Sequence, residues 1–228
     1  MRKKLSRFLT LFFVLLSLLH VVALYAGNMT LQMMTKPLII PCLIAIYLLS
    51  SNSRNKTYLA ALFFSFVGDI LLMDKENLFL YGIASFLITQ ILYVYLFSKG
   101  IEKSGWSLLA KSVLPFGIYY VILIKILWPG LGDFLLPVLV YGFVISLFGS
   151  AGLMQYLKKP DRHHLTLLAG AVLFIASDSM IALNKFQDFR TYYPLAIMIT
   201  YILAQYLILQ YVLESESGER LQDSSTAI

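Results

Sequence analysis

Long apolar runs separated by short polar stretches recur along the chain, and eight stand out as candidate membrane crossings: Leu5–Tyr25, Leu31–Ser51, Tyr58–Met73, Leu78–Ser98, Leu108–Trp128, Phe134–Leu157, Leu165–Leu183 and Tyr193–Leu213. A hydrocarbon core of ~30 Å needs ~20 mostly apolar residues per helix. None of the runs shows the alternation of a membrane barrel, and in lipid a backbone must satisfy its hydrogen bonds within its own helix. The pattern predicts an all-α polytopic membrane protein. Residues 1–213 form one domain, a bundle of eight transmembrane helices, and residues 214–228 a polar, disordered cytoplasmic tail.

Composition sharpens this picture. Of 228 residues, 59% are hydrophobic and 13% charged, with a mean hydropathy of +0.78, well outside the range of a soluble domain. The formal net charge is +6, but the basic residues fall in short loops and form no stripe, so nucleic acid is not a predicted partner. They report topology instead. With the N-terminus inside, the cytoplasmic segments hold Arg2, Lys3, Lys4, Arg7, Arg54, Lys56, Lys99, Lys103, Lys111, Lys158, Lys159, Arg162 and Arg220, which is 13 of the 18. Lys36, Lys75, Lys125, Lys185 and Arg190 stay outside. That asymmetry predicts cytoplasmic termini, and the expected setting is a bacterial inner membrane. The alternative for the first run is a signal peptide cleaved after Val21-x-Ala23. Cys42 is the single cysteine and reads as a packing residue. His163-His164, in the basic loop "LKKPDRHH", reads as lipid headgroup contact, and no metal or cofactor is predicted.

Two carboxylates break the apolar pattern. Asp69 sits in "FSFVGDILLM" and Asp178 in "LFIASDSMIA". An ionised Asp near the bilayer centre costs at least ~2.5–3.5 kcal/mol on insertion scales, so both are expected to face the bundle interior. The plain reading is a pair of acceptors for interhelical hydrogen bonds. The functional reading is an acid–base pair, because two carboxyls in one low-dielectric site are most cheaply held with one proton between them. Gly68, Ser177 and Ser179 leave room for close packing or for a cavity. Tyr93, Tyr120, Tyr141 and Tyr201 are candidate cavity residues, relevant where they reach an Asp. Lys36 is either a snorkelling interface lysine or a phosphate contact, and His20 and Lys125 read as interfacial. The order Asp69 then "LITQIL", against Asp178 then "ILAQYL", suggests a 4+4 parallel repeat, with Pro37 and Pro137 opening the second and sixth helices.

Together, "MTKPLI" (Met34–Ile39), "GDILLM" followed by "LYGIASFLITQILYVYLF" (Leu80–Phe97), "LPVLVYGFVIS" (Leu136–Ser146), "AVLFIASDSMIA" (Ala171–Ala182) and "YILAQYLI" (Tyr201–Ile208) resemble the lysoplasmalogenase family, the YhhN-like eight-helix membrane proteins. The resemblance extends from about Leu31 to Leu213. It implies hydrolysis of the vinyl ether bond of a lysoplasmalogen to a fatty aldehyde and a glycerophospho-amine, without a cofactor. It implies catalytic roles for Asp69 and Asp178, and substrate contacts by Lys36, Tyr93, Tyr141, Ser177 and Gln205. Gln90 is a further candidate contact, standing with Thr89 where the family pattern reads Ala-His. The implied partners are a lysophospholipid substrate and membrane lipids.

The residues suit that chemistry on their own terms. A vinyl ether is cleaved by protonating its β-carbon, after which water captures the oxocarbenium ion and the hemiacetal collapses. One neutral carboxyl donates and one ionised carboxyl stabilises the cation and accepts a proton from water. Which Asp is the acid stays open at this level. A proton-coupled transporter is the rival reading, since such proteins also carry intramembrane Asp pairs, and helices broken at Pro41 or Pro115 would favour it.

Overall fold

Among the described residues, eight α-helices follow one another in the computed structural model: α1 (Arg2–Tyr25), α2 (Met29–Ser50), α3 (Lys56–Leu71), α4 (Phe79–Phe97), α5 (Trp106–Leu127), α6 (Leu135–Lys158), α7 (Arg162–Phe186) and α8 (Tyr193–Thr226), with two 3-10 turns, Trp128–Gly130 and Gly132–Phe134, between α5 and α6. The structure describes residues 2–51, 53–74, 76–99, 105–187 and 190–226, the side chains of Lys3 and of residues 219–226 excepted. Lys75, Lys103 and the Arg220 side chain, which entered the charge pattern, lie outside the described residues.

Local chemistry sets the helix ends. Gly27 takes φ +64° just past α1, and the amides of Gly27 and Asn28 turn back onto the carbonyls of Leu24 and Ala23, a conformation an L side chain would strain. Asn28, Asn55 and Asp161 then cap α2, α3 and α7, accepting from the amides of Leu31, Tyr58 and His164 at 3.0, 3.1 and 2.9 Å. The bonds from the His164 amide and imidazole hold the Asp161 carboxyl down at about 2.

Seven of the helices are long and apolar enough to cross a membrane. The exception, α3, has 16 residues and spans only ~24 Å at ~1.5 Å per residue, yet it joins loops at opposite ends of the bundle like its neighbours. Consecutive helices pair as antiparallel hairpins, α1 with α2, α3 with α4, α5 with α6 and α7 with α8, while α4 and α7 both pack on α6 and α8 returns against α1 and α2. Apolar side chains such as Leu11, Leu15 and Leu18 of α1 and Leu114, Ile118 and Val121 of α5 point outward, as a lipid-facing surface requires. The interior is aromatic, with Tyr47, Tyr58, Tyr93, Phe148 and Phe174 fully buried.

Several expectations are corrected here. Pro37 lies well inside α2 rather than at its start, whereas Pro137 does sit in the first turn of α6. Helices α2 and α5 run on through Pro41 and Pro115 without a break, because lipid-buried helices regain the lost bonds by local adjustment. The tail expected to be disordered continues α8 to Thr226. Glu216 explains its beginning, since its buried carboxylate accepts from Tyr47 Oη and Ser51 Oγ, each at 2.5 Å. His163 and His164 each have partners within the protein. His163 meets Glu214 and Ser215 at 3.0 and 2.9 Å and stacks on Tyr211, and His164 meets Asp161 at 2.7 Å. The segment considered as a cleavable signal packs as α1, with Phe13 stacked on Tyr206. His20 is not interfacial: it is 1% exposed and pairs with Thr35 across α1 and α2.

Candidate active site

Helix α3 buries Tyr58, Ala61, Leu62, Ser65, Gly68 and Asp69, a stripe at three- and four-residue spacing that fixes which way the carboxylate points. Gly68 makes the site possible: a Cβ there would stand 2.6 Å from the Phe86 ring of α4, so only hydrogen allows α3 and α4 this close. Asp69 is 4% exposed and accepts from Tyr201 Oη of α8 at 2.8 Å. One turn along α8, Gln205 donates to Ser65 Oγ at 3.0 Å and accepts from Tyr93 Oη at 2.8 Å. The stripe is therefore tied to both α4 and α8 by polar side chains that satisfy one another.

Asp178, on α7, receives the hydroxyl of Tyr141 from α6 and Nε2 of Gln90 from α4 at 3.4 Å. Beside it, Ser179 gives its hydrogen to the Ile175 carbonyl, so Tyr119 Oη, 2.6 Å away, donates to Ser179. The two carboxylates are near enough for their charges to interact, and Lys36 is likewise within reach of Asp69. Asp69 of α3 is held from α8, and Asp178 of α7 from α4 and α6.

Two hollows meet near this pair. An apolar cleft between α4, α5, α6 and α7 is walled by Ile83, Leu123, Val138, Ile145 and Ala182, with Asp178, Tyr141 and Ser179 on its lining. A second cavity of about 630 Å³ opens at the end of the bundle away from the termini, lined by Lys36, Lys185, His20, Gln32, Asn184, Asp74 and Glu76. That volume suits a small ligand or a lipid headgroup. Phe79 and Ile181 line both hollows and form the wall between them, and the Lys185 ammonium lies 5.0 Å from the Phe79 ring. Among the described residues, no cluster of three or more His, Cys, Asp and Glu side chains is placed to hold a metal.

The sequence-derived candidates thus divide. Asp178 and Tyr141 line the cleft, with Gln90 buried behind Asp178; Asp69 with Tyr201, and Gln205 with Tyr93, form the adjoining buried network; Lys36 lines the polar cavity. Ser177 turns away and donates to the Ile197 carbonyl of α8 at 3.1 Å, a packing bond. Tyr120 donates to the Leu139 carbonyl and does not reach an Asp. Tyr201, one of the four candidate cavity tyrosines, does reach an Asp, and it stands four residues before Gln205 on the same face of α8. Ser65 and Asn184 gave no signal in the sequence, since single small polar residues in apolar helices carry no pattern of their own.

The YhhN family model matches residues 31–212 of the chain. The lysoplasmalogenase TMEM86A of Bos taurus is 33% identical over 174 residues, covering 74% of this chain and 70% of that protein. The human lysoplasmalogenase TMEM86B is 32% identical over 177 residues, covering 77% and 72%, and human TMEM86A is 33% identical over 179, covering 74% and 70%. No solved structure matches. With the family pattern extending from α2 to α8, through both carboxylate-bearing helices, the chain belongs to the YhhN family.

Proposed function

We propose that this membrane protein hydrolyses the vinyl ether bond of lysoplasmalogens, releasing a fatty aldehyde and a glycerophospho-amine, as the names of its relatives indicate for those proteins. The observation that carries the reading is the position of Asp178, a carboxyl on the wall of a largely apolar cleft. The cleft suits the alkenyl chain, and the polar cavity beyond Phe79, with Lys36 and Lys185, suits the phosphate-bearing headgroup.

Asp178 rather than Asp69 is then the acid, since Asp69 borders neither hollow. Protonated Asp178 gives its hydrogen to the β-carbon of the alkenyl ether, and the π electrons form that C–H bond, leaving an oxocarbenium ion at the ether carbon. Water adds to this carbon. The Asp178 carboxylate, now the nearest base, takes the proton that water releases, and the hemiacetal collapses to aldehyde and alcohol with the acid regenerated. Asp69 contributes negative charge that favours the cation, while Tyr141 and Gln90 orient Asp178. Lys36 contacts the phosphate. The same proposal puts the termini on the cytoplasmic side and the site in the outer half of the membrane, on the strength of the basic asymmetry, with a bacterial inner membrane as the proposed setting.

The transporter reading has lost the broken helices that would have favoured it. The deciding experiment incubates purified protein in detergent with a lysoplasmalogen and measures free aldehyde. Aldehyde release dependent on Asp178 supports the reading, and its absence in active-condition screens with intact folded protein defeats it.

A further inference from the structure

Two residues that line the polar cavity, His20 and Asn184, each carry a buried acceptor with nothing to accept among the described residues. His20 Nδ1 lies 2.8 Å from Thr35 Oγ1. The single hydroxyl hydrogen of Thr35 goes to the Leu31 carbonyl at 2.6 Å, so Thr35 accepts and His20 Nδ1 carries the proton. In the neutral imidazole this leaves Nε2 a bare lone pair. That Nε2 is buried and has no hydrogen-bond partner among the described residues, and the side chain, 1% exposed, lines the cavity. Asn184 Oδ1, on α7, is a second buried acceptor without a partner among the described residues, and Asn184 lines the same cavity.

Such atoms define the ligand that would satisfy them. Acceptors need hydrogen donors, and an acceptor left unmade in a buried site is costly. Lys36 and Lys185 share the lining with Asp74 and Glu76, so the cavity suits a headgroup that carries both an anionic phosphate and a cationic amine. A hydroxyl set a few bonds from a phosphate meets both demands, and in a glycerophospholipid that hydroxyl exists only when the 2-position carries no acyl chain.

We propose that His20 Nε2, with Asn184 Oδ1, accepts the hydrogen of the free glycerol 2-hydroxyl and thereby selects lyso-lipids over 2-acylated ones. The proposal rests on the lysoplasmalogenase reading for the identity of the lipid. An ester at this position has no hydrogen to give, so both acceptors would stay unpaired. His20 stands on α1, ahead of the segment matched by the family model.

The test compares matched lipids on the full chain in detergent. Turnover is measured with a 1-alkenyl glycerophosphoethanolamine and its 2-deoxy analogue, and binding by calorimetry with the saturated 1-alkyl counterparts of both. Wild type should favour the 2-hydroxy form about tenfold in kcat/KM and in Kd. His20→Phe should bring the 2-hydroxy form down to the level of the deoxy form, and His20→Gln, which restores a polar end to the side chain, should recover part of the preference. Should His20→Phe fail to fold, Asn184→Leu makes the same comparison. A preference that survives both substitutions, or a loss that falls equally on both forms, overturns the proposal, as does a wild type without preference in binding. If no aldehyde forms yet the saturated pair still shows the hydroxyl preference abolished by His20→Phe, the hydrolase reading fails while the hydroxyl site stands.

Discussion

Tyr201 of α8 donates its hydroxyl to the Asp69 carboxylate of α3 at 2.8 Å, and the same hydroxyl lies within 3.4 Å of Gln205 Nε2 as an acceptor. A buried carboxylate that loses such a donor keeps its desolvation cost without the compensating bond. Tyr201→Phe should therefore destabilise the detergent-solubilised protein by about 2 kcal/mol. Combined with Asp69→Asn it should be non-additive by ~1 kcal/mol or more, because the pair shares one interaction. Additive losses in chemical unfolding would mean the bond contributes nothing of its own.

The two carboxylates should not be equal. Asp178→Asn removes the proposed proton donor at the cleft and should lower kcat by about 10³-fold or more. Asp69→Asn removes charge one layer back and should cost about 10²-fold. Both variants should express and fold, since Asn keeps the shape of the side chain and its capacity to accept. Aldehyde assays that rank Asp69→Asn as the more damaging would exchange the assigned roles.

Much of this arrangement was legible in the sequence, for a physical reason. Charge in lipid is so costly that Asp69 and Asp178 announce themselves, and the length of the apolar runs fixes the helix count. The hydrogen-bond partners were less legible. Tyr120 and Tyr201 look alike in sequence, yet one reaches a backbone carbonyl and the other a carboxylate, a difference set by helix rotation in the packed bundle. Ser177 adjoins Asp178 in the chain but points about 100° away on the helix, which sends its hydroxyl to α8. Glu216 was hidden for the opposite reason: it lies in a polar tail where a carboxylate attracts no notice, and only the return of α8 against α2 buries it.

That buried carboxylate gives a stability expectation remote from the cavities. Glu216→Ala leaves Tyr47 Oη and Ser51 Oγ without their acceptor and should cost about 2–3 kcal/mol. The KM for lysoplasmalogen should not move, because the end of the bundle holding Glu216 is opposite to the polar cavity. A raised KM in this variant would tie the C-terminal helix to the site.

Lys36→Ala should act mainly on KM, raising it about tenfold with kcat nearly unchanged, because a phosphate contact is made in ground state and transition state alike. Lys36→Arg should retain most of the affinity. A fall in kcat at constant KM would instead place the ammonium beside the reacting ether, in contact with Asp69 rather than with phosphate.

The last expectation concerns the chemical step itself. If Asp178 protonates the β-carbon, turnover in heavy water must leave one deuterium on the carbon next to the aldehyde carbonyl, because that carbon gains its hydrogen from an exchangeable carboxyl. A saturated 1-alkyl ether should bind in the same cleft and inhibit without reacting, since it offers no π bond to protonate. Hydrolysis of an ester would release a fatty acid with no label on its chain, and transport would release neither product. Mass spectrometry of the aldehyde, quenched early so that enolisation of the free product adds no label, separates these outcomes. Unlabelled aldehyde would refute protonation of carbon by a carboxyl of the site, whatever the fate of the Asp178 variants.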